Sequence, residues 1–214
     1  VFIKNYYRFQ TVTLPLALNK ELNILLDVPF HRQEKSLSCE IAALRMALNY
    51  YGLSLSENEL LAKLPFSTDS SRQPGNIWGD PNLGFVGSIN GRMPDGGYGA
   101  YEEPIASVAS QYRRAKALKG AELSTILEEV ANGHPVIVWG HIYSGKDISW
   151  KTAGGKAIKA VYGEHTRVIT GFYGTVSTPE YLVLMDPLYG KLIWPADKFL
   201  KNWASLDNRA VVVY

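Results

Sequence analysis

The residues of this chain that could carry out covalent chemistry are one cysteine, four histidines and a few well-placed acids. Cys39 is the only cysteine among 214 residues, so it cannot form an internal disulfide. It stands where an amphipathic helix is predicted to begin, and the unpaired N–H groups of a helix N-terminus favour a thiolate. Cys39 is therefore a candidate nucleophile, and the alternative is a buried structural cysteine. A nucleophilic thiol needs a histidine as base and an acid that orients it.

The histidine that fits this need best is His165. It opens a predicted strand, and Asp186 closes the next predicted strand. A hairpin that pairs these two residues centres its turn near residues 175 and 176, inside a segment rich in turn residues. Both side chains then lie at the open end of the hairpin. His134 and His141 have simpler interpretations, as a turn residue and a strand-end residue. His31 lies eight residues before Cys39 in an extended segment, where it either approaches the site or is exposed.

These groups together predict acyl-transfer chemistry at a thiol. An imidazolium–thiolate pair of His165 and Cys39 is a strong nucleophile, and Asp186 would hold the imidazole in one tautomer. Attack on a carbonyl creates an oxyanion, which needs hydrogen-bond donors. The backbone N–H of Cys39 is one donor, and the side-chain amide of Gln33 is a second. Taken alone, Gln33 would be interpreted as a surface glutamine.

Four segments of the chain resemble a known family. They are Asp27–Gln33, Ser38–Glu40, Gly163–Val168 and Met185–Pro187. They are similar to the papain-like cysteine peptidases that process bacteriocin leaders, and to the stand-alone relatives of those peptidases. The segments Trp78–Gly87 and Gly97–Ile105 resemble the stand-alone bacterial branch, and the resemblance covers roughly residues 25–214.

The resemblance implies a role for each of four residues. Gln33 would be the oxyanion-hole residue, Cys39 the nucleophile, His165 the general base and then acid, and Asp186 the orienting residue. The resemblance also implies a papain-like α+β fold, with the nucleophile at a helix N-terminus and helices packed on an antiparallel sheet.

Two features depart from the leader-processing peptidases. Those enzymes are fused to a membrane transporter with an ATP-binding domain. This chain has no apolar run long enough for a membrane span and no Gly-x-x-x-x-Gly-Lys-Ser/Thr loop. The resemblance therefore gives no reason to expect that this chain cleaves after a double-glycine leader. Glu40 follows the cysteine where a small residue is common, and its charge opposes a neighbouring thiolate.

The elements that position these residues can be predicted from pattern. Apolar residues at helical spacing predict a helix over residues 39–51, ended by Gly52, and Ser56–Glu59 forms a capping box that opens a second helix to about Leu64. Helices are also predicted at about 102–113, at 121–132 and from Pro195 to Trp203. Five strands are predicted, at Pro135–Ile142, Thr166–Tyr173, Tyr181–Met185, Lys191–Trp194 and Arg209–Tyr214. Short extended segments are expected in residues 1–28. This order predicts an α+β fold.

Residues 66–100 are rich in glycine and proline and predict a long structured loop. We expect this loop to line the substrate groove, with Trp78, Phe85 and Tyr98 as its walls. The alternative is that these aromatic rings fix an irregular loop to the core. A calcium site at Asp80, Asn82 and Asp95 lacks the required spacing, and no zinc spacing is present, so no metal or other cofactor is expected.

Composition limits the remaining possibilities. A hydrophobic share of 46% and a charged share of 20% are typical of a globular protein. A net charge of +2 gives no reason to expect nucleic acid as a partner. We expect one domain over 1–214, with 1–25 as an N-terminal extension, and a monomer. Because the chain begins with Val1, we expect a mature or trimmed form, located outside or at the surface of a bacterium.

The sequence thus predicts a cysteine peptidase or amidase that hydrolyses peptide bonds through a thioester. Peptides or peptidoglycan-type cross-bridges are the expected substrates. Two alternatives stay open. One is a papain-like binding module with weak activity, although such a module need not keep all four site residues. The other is an acyltransferase, in which an amine instead of water reaches the same thioester.

Overall fold

The computed structural model describes residues 22–68 and 70–214. The extended segments predicted before residue 22 lie outside the described residues. Five helices occur in the described part of the chain: α1 (Cys39–Tyr50), α2 (Glu57–Leu61), α3 (Glu102–Ala109), α4 (Leu123–Ala131) and α5 (Ala196–Ala204). Eleven strands occur there: β1 (Leu22–Leu25), β2 (Phe66–Thr68), β3 (Phe85–Val86), β4 (Ala115–Leu118), β5 (Val136–His141), β6 (Asp147–Lys151), β7 (Ala157–Val161), β8 (Glu164–Gly174), β9 (Pro179–Asp186), β10 (Gly190–Pro195) and β11 (Ala210–Val213).

One antiparallel sheet organises the fold. Its strand order is β10-β9-β8-β5-β11-β4, and β1 pairs with the far end of β8 beyond the stretch that β5 covers. Helix α1 packs against β8 and β5, and α4 packs on the same strands. The arrangement is α+β, with helices packed on a mostly antiparallel sheet, as the sequence predicts.

Helix α1 is the central helix of the core. Apolar side chains on several faces of the helix are fully buried, and they include Ile41, Leu44 and Leu48. Burial of each such side chain contributes roughly 1.5–3 kcal/mol, so the start of this helix is held firmly. The helix ends before Gly52, whose positive φ of 80° suits a residue without a side chain. The predicted end of the helix is confirmed.

Helix α2 shows the predicted capping box, in which Ser56 and Glu59 satisfy each other's backbone N–H groups. The helix is shorter than predicted, because it ends at Leu61 and a turn precedes Pro65. The long glycine-rich segment contains only β2, β3 and isolated bridges, as its composition predicts.

Three strands outside the glycine-rich segment were not predicted. Strand β4 consists of Ala and Lys residues with a final Leu, which favour helix, and it is extended because it pairs with β11 at the sheet edge. Strands β6 and β7 form a separate hairpin, and the polar and apolar residues of β6 alternate, a local strand pattern that was missed. Within the described residues, no helix is both long and apolar enough to cross a membrane.

Candidate active site

Cys39 is the first residue of α1 and is buried, with 4% of its surface exposed. The residue before it, Ser38, does not cap the helix, because its hydroxyl bonds to the backbone of Lys35 instead. The first helical bond runs from Ala42 N–H to Ser38 C=O. The N–H of Cys39 therefore belongs to the first turn of the helix, whose N–H groups have no partner within the helix.

His165 lies on β8 and Asp186 ends β9, and the two strands pair as the sequence predicts. The observed register places Val168 opposite Met185. Continued by one step, it puts Asp186 opposite Arg167 instead of His165. The displacement is two residues along the strand, so the side chains keep the same face of the sheet. A diagonal neighbour stays within reach, and His165 Nε2 lies 3.0 Å from Asp186 Oδ1.

The Asp186 carboxylate is saturated with hydrogen bonds. Oδ1 accepts from His165 and from the backbone N–H groups of Leu188 (2.8 Å) and Tyr189 (3.2 Å), while Oδ2 accepts from Arg167 Nε at 2.8 Å. Burial acts to raise the pKa of Asp186, but these bonds and the charges of His165 and Arg167 outweigh it and lower the pKa to about 2. Asp186 is therefore an anion throughout the neutral range.

His165 is 2% exposed. Burial lowers its pKa, against the raising effect of Asp186, so the neutral imidazole is favoured. Because Nε2 points to the carboxylate, it carries the proton in the neutral ring, and Nδ1 is then free to accept one. This is the tautomer that a general base needs.

A cavity of about 410 Å³ contains the candidate groups. Three of the four predicted catalytic residues line it, namely Gln33, Cys39 and His165. Asp186 lies behind His165 and is fully buried. Of the four histidines, all of which lie in the described part of the chain, only His165 lines this cavity. The ring nitrogens of the other three contact Glu57 and Arg45 (His31), Glu129 (His134) and the Tyr143 carbonyl (His141).

The amide of Gln33 reaches the cavity, but its donors are engaged. Nε2 donates to the carbonyls of Lys35 (2.9 Å) and Ser36 (3.1 Å), and the buried Oε1 has no hydrogen-bond partner in the described part of the chain. These bonds hold the loop that leads into α1. For Gln33 to bind an oxyanion, a substrate oxygen must replace one of the two carbonyls.

The thiol of Cys39 makes its hydrogen bond to Glu40, with Sγ 3.4 Å from Oε2. Among the described residues, no hydrogen bond joins Sγ to His165. Burial, then the charges of Glu40 and Glu164, raise the pKa of Cys39 well above its usual value, and the polar groups of Thr166 oppose this rise only in part. Glu40 thus opposes the thiolate, as its position in the sequence predicts. The structure favours a neutral thiol and a neutral imidazole that line the same cavity, whereas the sequence predicts an ion pair.

The three aromatic residues predicted to form the substrate groove lie elsewhere. Phe85 and Tyr98 are buried in the core, and Trp78 lines a different cavity of about 530 Å³. Each ring removes a large apolar area from water, which fixes the irregular loop to the core. The glycine-rich segment does reach the Cys39 cavity, through the short stretch Gly91–Met93.

Two residues of the site were missed in the sequence. Arg167 is buried and bonds to Asp186, and Glu164 lines the cavity beside Cys39. Strand alternation could have found Arg167, because a residue two positions after His165 faces the same side of the strand. Nothing in the pattern of the strand indicates that Glu164, which faces the other side, lies close to Cys39.

A glycine shapes the entrance to β8. Gly163 has a φ of 82°, and a Cβ at this position would lie 2.7 Å from the ring of Tyr143. Tyr143 stacks on Tyr162 with ring centres 5.7 Å apart, and both line the cavity. The turn before Glu164 and His165 therefore needs glycine for its backbone and for the space that the tyrosine takes.

Comparisons with known proteins concern the family and the fold of the chain. The model of the Peptidase_C39 like family matches residues 25–211. The chain is similar to a Bacillus anthracis protein described as a C39-like peptidase, with 27% identity and a TM-score of 0.77 over 91% of this chain and 98% of that one. No curated protein matches the chain.

Two further solved structures share the fold. One is the double glycine motif protease of an AMS/PCAT transporter, solved with its leader peptide (16% identity, TM-score 0.50, 88% of this chain and 93% of that one). The other is the peptidase domain of Streptococcus ComA, a bi-functional ABC transporter of a quorum-sensing pathway (16% identity, TM-score 0.50, 87% of this chain and 98% of that one). At this identity the likeness concerns the fold alone.

Proposed function

Because this chain belongs to the Peptidase_C39 like family, we propose that it is a cysteine peptidase in which Cys39, His165 and Asp186 form the catalytic triad. The observation that carries this proposal is the hydrogen bond between His165 Nε2 and Asp186 Oδ1, with His165 and Cys39 in one cavity. It leaves Nδ1 of the ring as the proton acceptor, and it is the arrangement that a thiol nucleophile requires.

The reaction proceeds in two halves. As Sγ attacks the carbonyl carbon of a peptide bond, the thiol proton passes to His165 Nδ1. The imidazolium, stabilised by Asp186, then protonates the leaving amine and a thioester remains on Cys39. A water molecule, deprotonated by His165, attacks the thioester. The C–S bond breaks, the carboxylic acid is released, and Sγ takes the proton back from His165. Since the thiol and the imidazole are both neutral at rest, proton transfer accompanies the attack instead of preceding it.

The oxyanion of each half needs two donors. The N–H of Cys39 at the start of α1 is the first, aided by the helix dipole. Gln33 Nε2 is the second, and it exchanges a backbone carbonyl for the developing oxyanion. This exchange makes the interaction stronger in the transition state than in the resting site, which is what catalysis requires.

The walls of the cavity favour a peptide substrate. They combine apolar side chains of Leu37, Met93 and Ile142 with the guanidinium of Arg92 and the rings of Tyr143 and Tyr162. Walls that combine apolar, charged and aromatic groups hold both the side chains and the backbone amides of a substrate peptide that lies across Cys39. Peptides and peptidoglycan-type cross-bridges both present such a chain.

A library of internally quenched peptides, with peptidoglycan-type cross-bridge peptides among them, tests the proposal. We expect hydrolysis by the wild type and a loss of at least a thousandfold in His165→Ala, because the general base is removed. His134→Ala is the matched control, since His134 bonds to Glu129 away from the cavity. Equal hydrolysis by His165→Ala and wild type contradicts the proposed triad.

A further inference from the structure

Two glutamates meet at the base of the nucleophile. Glu40 follows Cys39 on α1 and Glu164 precedes His165 on β8, and the structure buries both, at 1% and 3% exposure. One oxygen of each carboxyl group and the sulfur of Cys39 lie within 4.8 Å of one another. Two carboxylates this close in the interior repel strongly, so they do not both ionise at neutral pH.

The backbone next to this pair leaves space for the two carboxyl groups because it has a glycine there. Gly99 passes directly over the two side chains, and a Cβ at this position would clash with Glu40 Oε1 and with Glu164 Oε2. The next residue, Ala100, donates its N–H to Glu40 Oε1 at 2.7 Å. The pair therefore links α1, β8 and the loop before α3.

Hydrogen-bond donors are divided unequally between the two glutamates. Glu40 accepts from the Ala100 N–H and from the Cys39 thiol. Within residues 22–68 and 70–214, neither oxygen of Glu164 has a hydrogen-bond partner. A carboxylate that receives donors is stabilised as an anion, and a buried carboxyl group that receives none is stable only in its neutral form.

The charged and titratable groups around the pair agree with this division. Burial raises the pKa of Glu164, the negative charge of Glu40 raises it further, and the charge of Arg167 opposes both. The pKa of Glu40 is raised by burial to about 7, and the Ala100 bond opposes this rise. The remaining ionisable groups that interact electrostatically with the pair are Cys39 on α1 and the two tyrosines of the loop before α3, Tyr98 and Tyr101.

We propose that Glu164 is a protonated positioning residue at neutral pH, and that Glu40 is the carboxylate that holds the Cys39 thiol as a hydrogen-bond donor. This arrangement leaves one negative charge beside the nucleophile instead of two. It places the thiol in a resting state that His165 deprotonates only when a substrate is in position. The inference rests on the proposed function for its catalytic meaning, but its protonation claim can be tested without a substrate.

Infrared difference spectroscopy of the wild type between neutral and alkaline pH is the direct test. A neutral carboxyl group shows a C=O stretching band that a carboxylate lacks. We expect this band at pH 8, above the pKa of about 7 of Glu40, and we expect Glu164→Gln to remove it. Glu57→Gln is the matched control, because Glu57 is a buried glutamate that accepts the N–H of Glu34 away from the cavity. Absence of the band in the wild type overturns the proposal, and so does its persistence in Glu164→Gln.

Alkylation of the thiol by iodoacetamide gives a second readout. Glu40→Gln removes the anion beside Cys39, and we expect alkylation at pH 7 to be about tenfold faster for each unit by which the thiol pKa falls. Glu164→Gln replaces a neutral acid with a neutral amide, so we expect a change of less than about twofold. If Glu164→Gln accelerates alkylation as much as Glu40→Gln, then Glu164 is ionised and the proposal fails.

A bound cation would be another way to stabilise the same three groups, because a thiolate and two carboxylates are metal ligands. Elemental analysis of the purified protein separates the two cases. We expect no stoichiometric metal. A full equivalent of metal that is lost in Glu164→Gln overturns the proposal that Glu164 is protonated. Peptide hydrolysis enters none of these measurements, so their failure is distinct from failure of the proposed function.

Discussion

Asp186 is held between two side chains of one strand, because His165 Nε2 lies 3.0 Å from its Oδ1 and Arg167 Nε lies 2.8 Å from its Oδ2. The acid therefore cannot turn without breaking a bond to one of its neighbours. Arg167 in turn lies over the Trp194 ring, 4.6 Å from its centre. The orientation of His165 thus depends on a series of contacts, from Asp186 to Arg167 and from Arg167 to Trp194 in the sheet.

Replacement of Arg167 by Met tests this series of contacts. The variant removes a buried cation and leaves an oxygen of Asp186 without a partner, so we expect a loss of about 3 kcal/mol in the free energy of unfolding. Denaturant unfolding measures this loss. Arg32→Met is the control, because Arg32 makes only an exposed bond of 3.4 Å to Leu188 C=O. A variant of Arg167 as stable as the wild type contradicts the role given to this contact.

Replacement of Asp186 by Asn tests the orientation of His165. The amide keeps the shape of the site but lacks the charge, and it favours the wrong tautomer of the imidazole. We expect turnover to fall by roughly 10³–10⁴ with little change in the Michaelis constant. The control is Asp197→Asn, at an exposed position on α5. A larger effect on the Michaelis constant than on turnover counts against an orienting role.

Gln33→Ala separates two roles of the glutamine. If Nε2 stabilises the oxyanion, turnover falls by roughly 10²–10³, because one donor is lost in the transition state. If Gln33 only holds the loop through Lys35 and Ser36, the main effect is on stability. We expect the loss in turnover, measured with the free energy of unfolding in parallel. A variant that unfolds more easily but turns over normally assigns Gln33 to the loop alone.

The ionisation of Glu40 should make the free energy of unfolding depend on pH. Its pKa is raised from 4.5 to about 7 in the folded protein, so the folded state binds more protons than the unfolded state between these values. The stability that protonated Glu40 contributes to the folded state is fully present below pH 4.5 and is lost as the pH rises through about 7.

Glu40→Gln lacks this titration. We therefore expect the stability of the variant, relative to the wild type, to increase from pH 5 to pH 8. Urea unfolding at several pH values measures the difference, and Glu57→Gln serves as the control at a buried glutamate. A constant difference across this range contradicts the raised pKa.

The sequence predicted the contact between His165 and Asp186 because strand pairing constrains it strongly. The register between β8 and β9 differs by two residues from the predicted one, and a shift of two leaves His165 and Asp186 on the same face. A shift of one would have separated them. The prediction of Cys39 at a helix start depended on Gly52 and the apolar spacing of α1, which are local signals.

The rest could not be predicted because it depends on contacts between distant segments. Trp78, Phe85 and Tyr98 have the composition of a binding wall, but the fold uses their area to close the core. Glu164 approaches Glu40 only because β8 packs on α1, and Gly99 is required only because a third segment passes over both. Strand β4 has residues typical of a helix, and pairing with β11 overrides that preference.

The central claim is that Cys39 is the nucleophile of a peptidase. The most direct measurement is the intact mass of the protein, quenched in acid during turnover of a peptide that the quenched library identifies. Since Cys39 is the only cysteine in the chain, a thioester adduct can form at no other residue. We predict a mass increase equal to the acyl part of the peptide in the wild type, and no increase in Cys39→Ala, which should also fail to hydrolyse the peptide. Hydrolysis by Cys39→Ala at the wild-type rate would contradict the account.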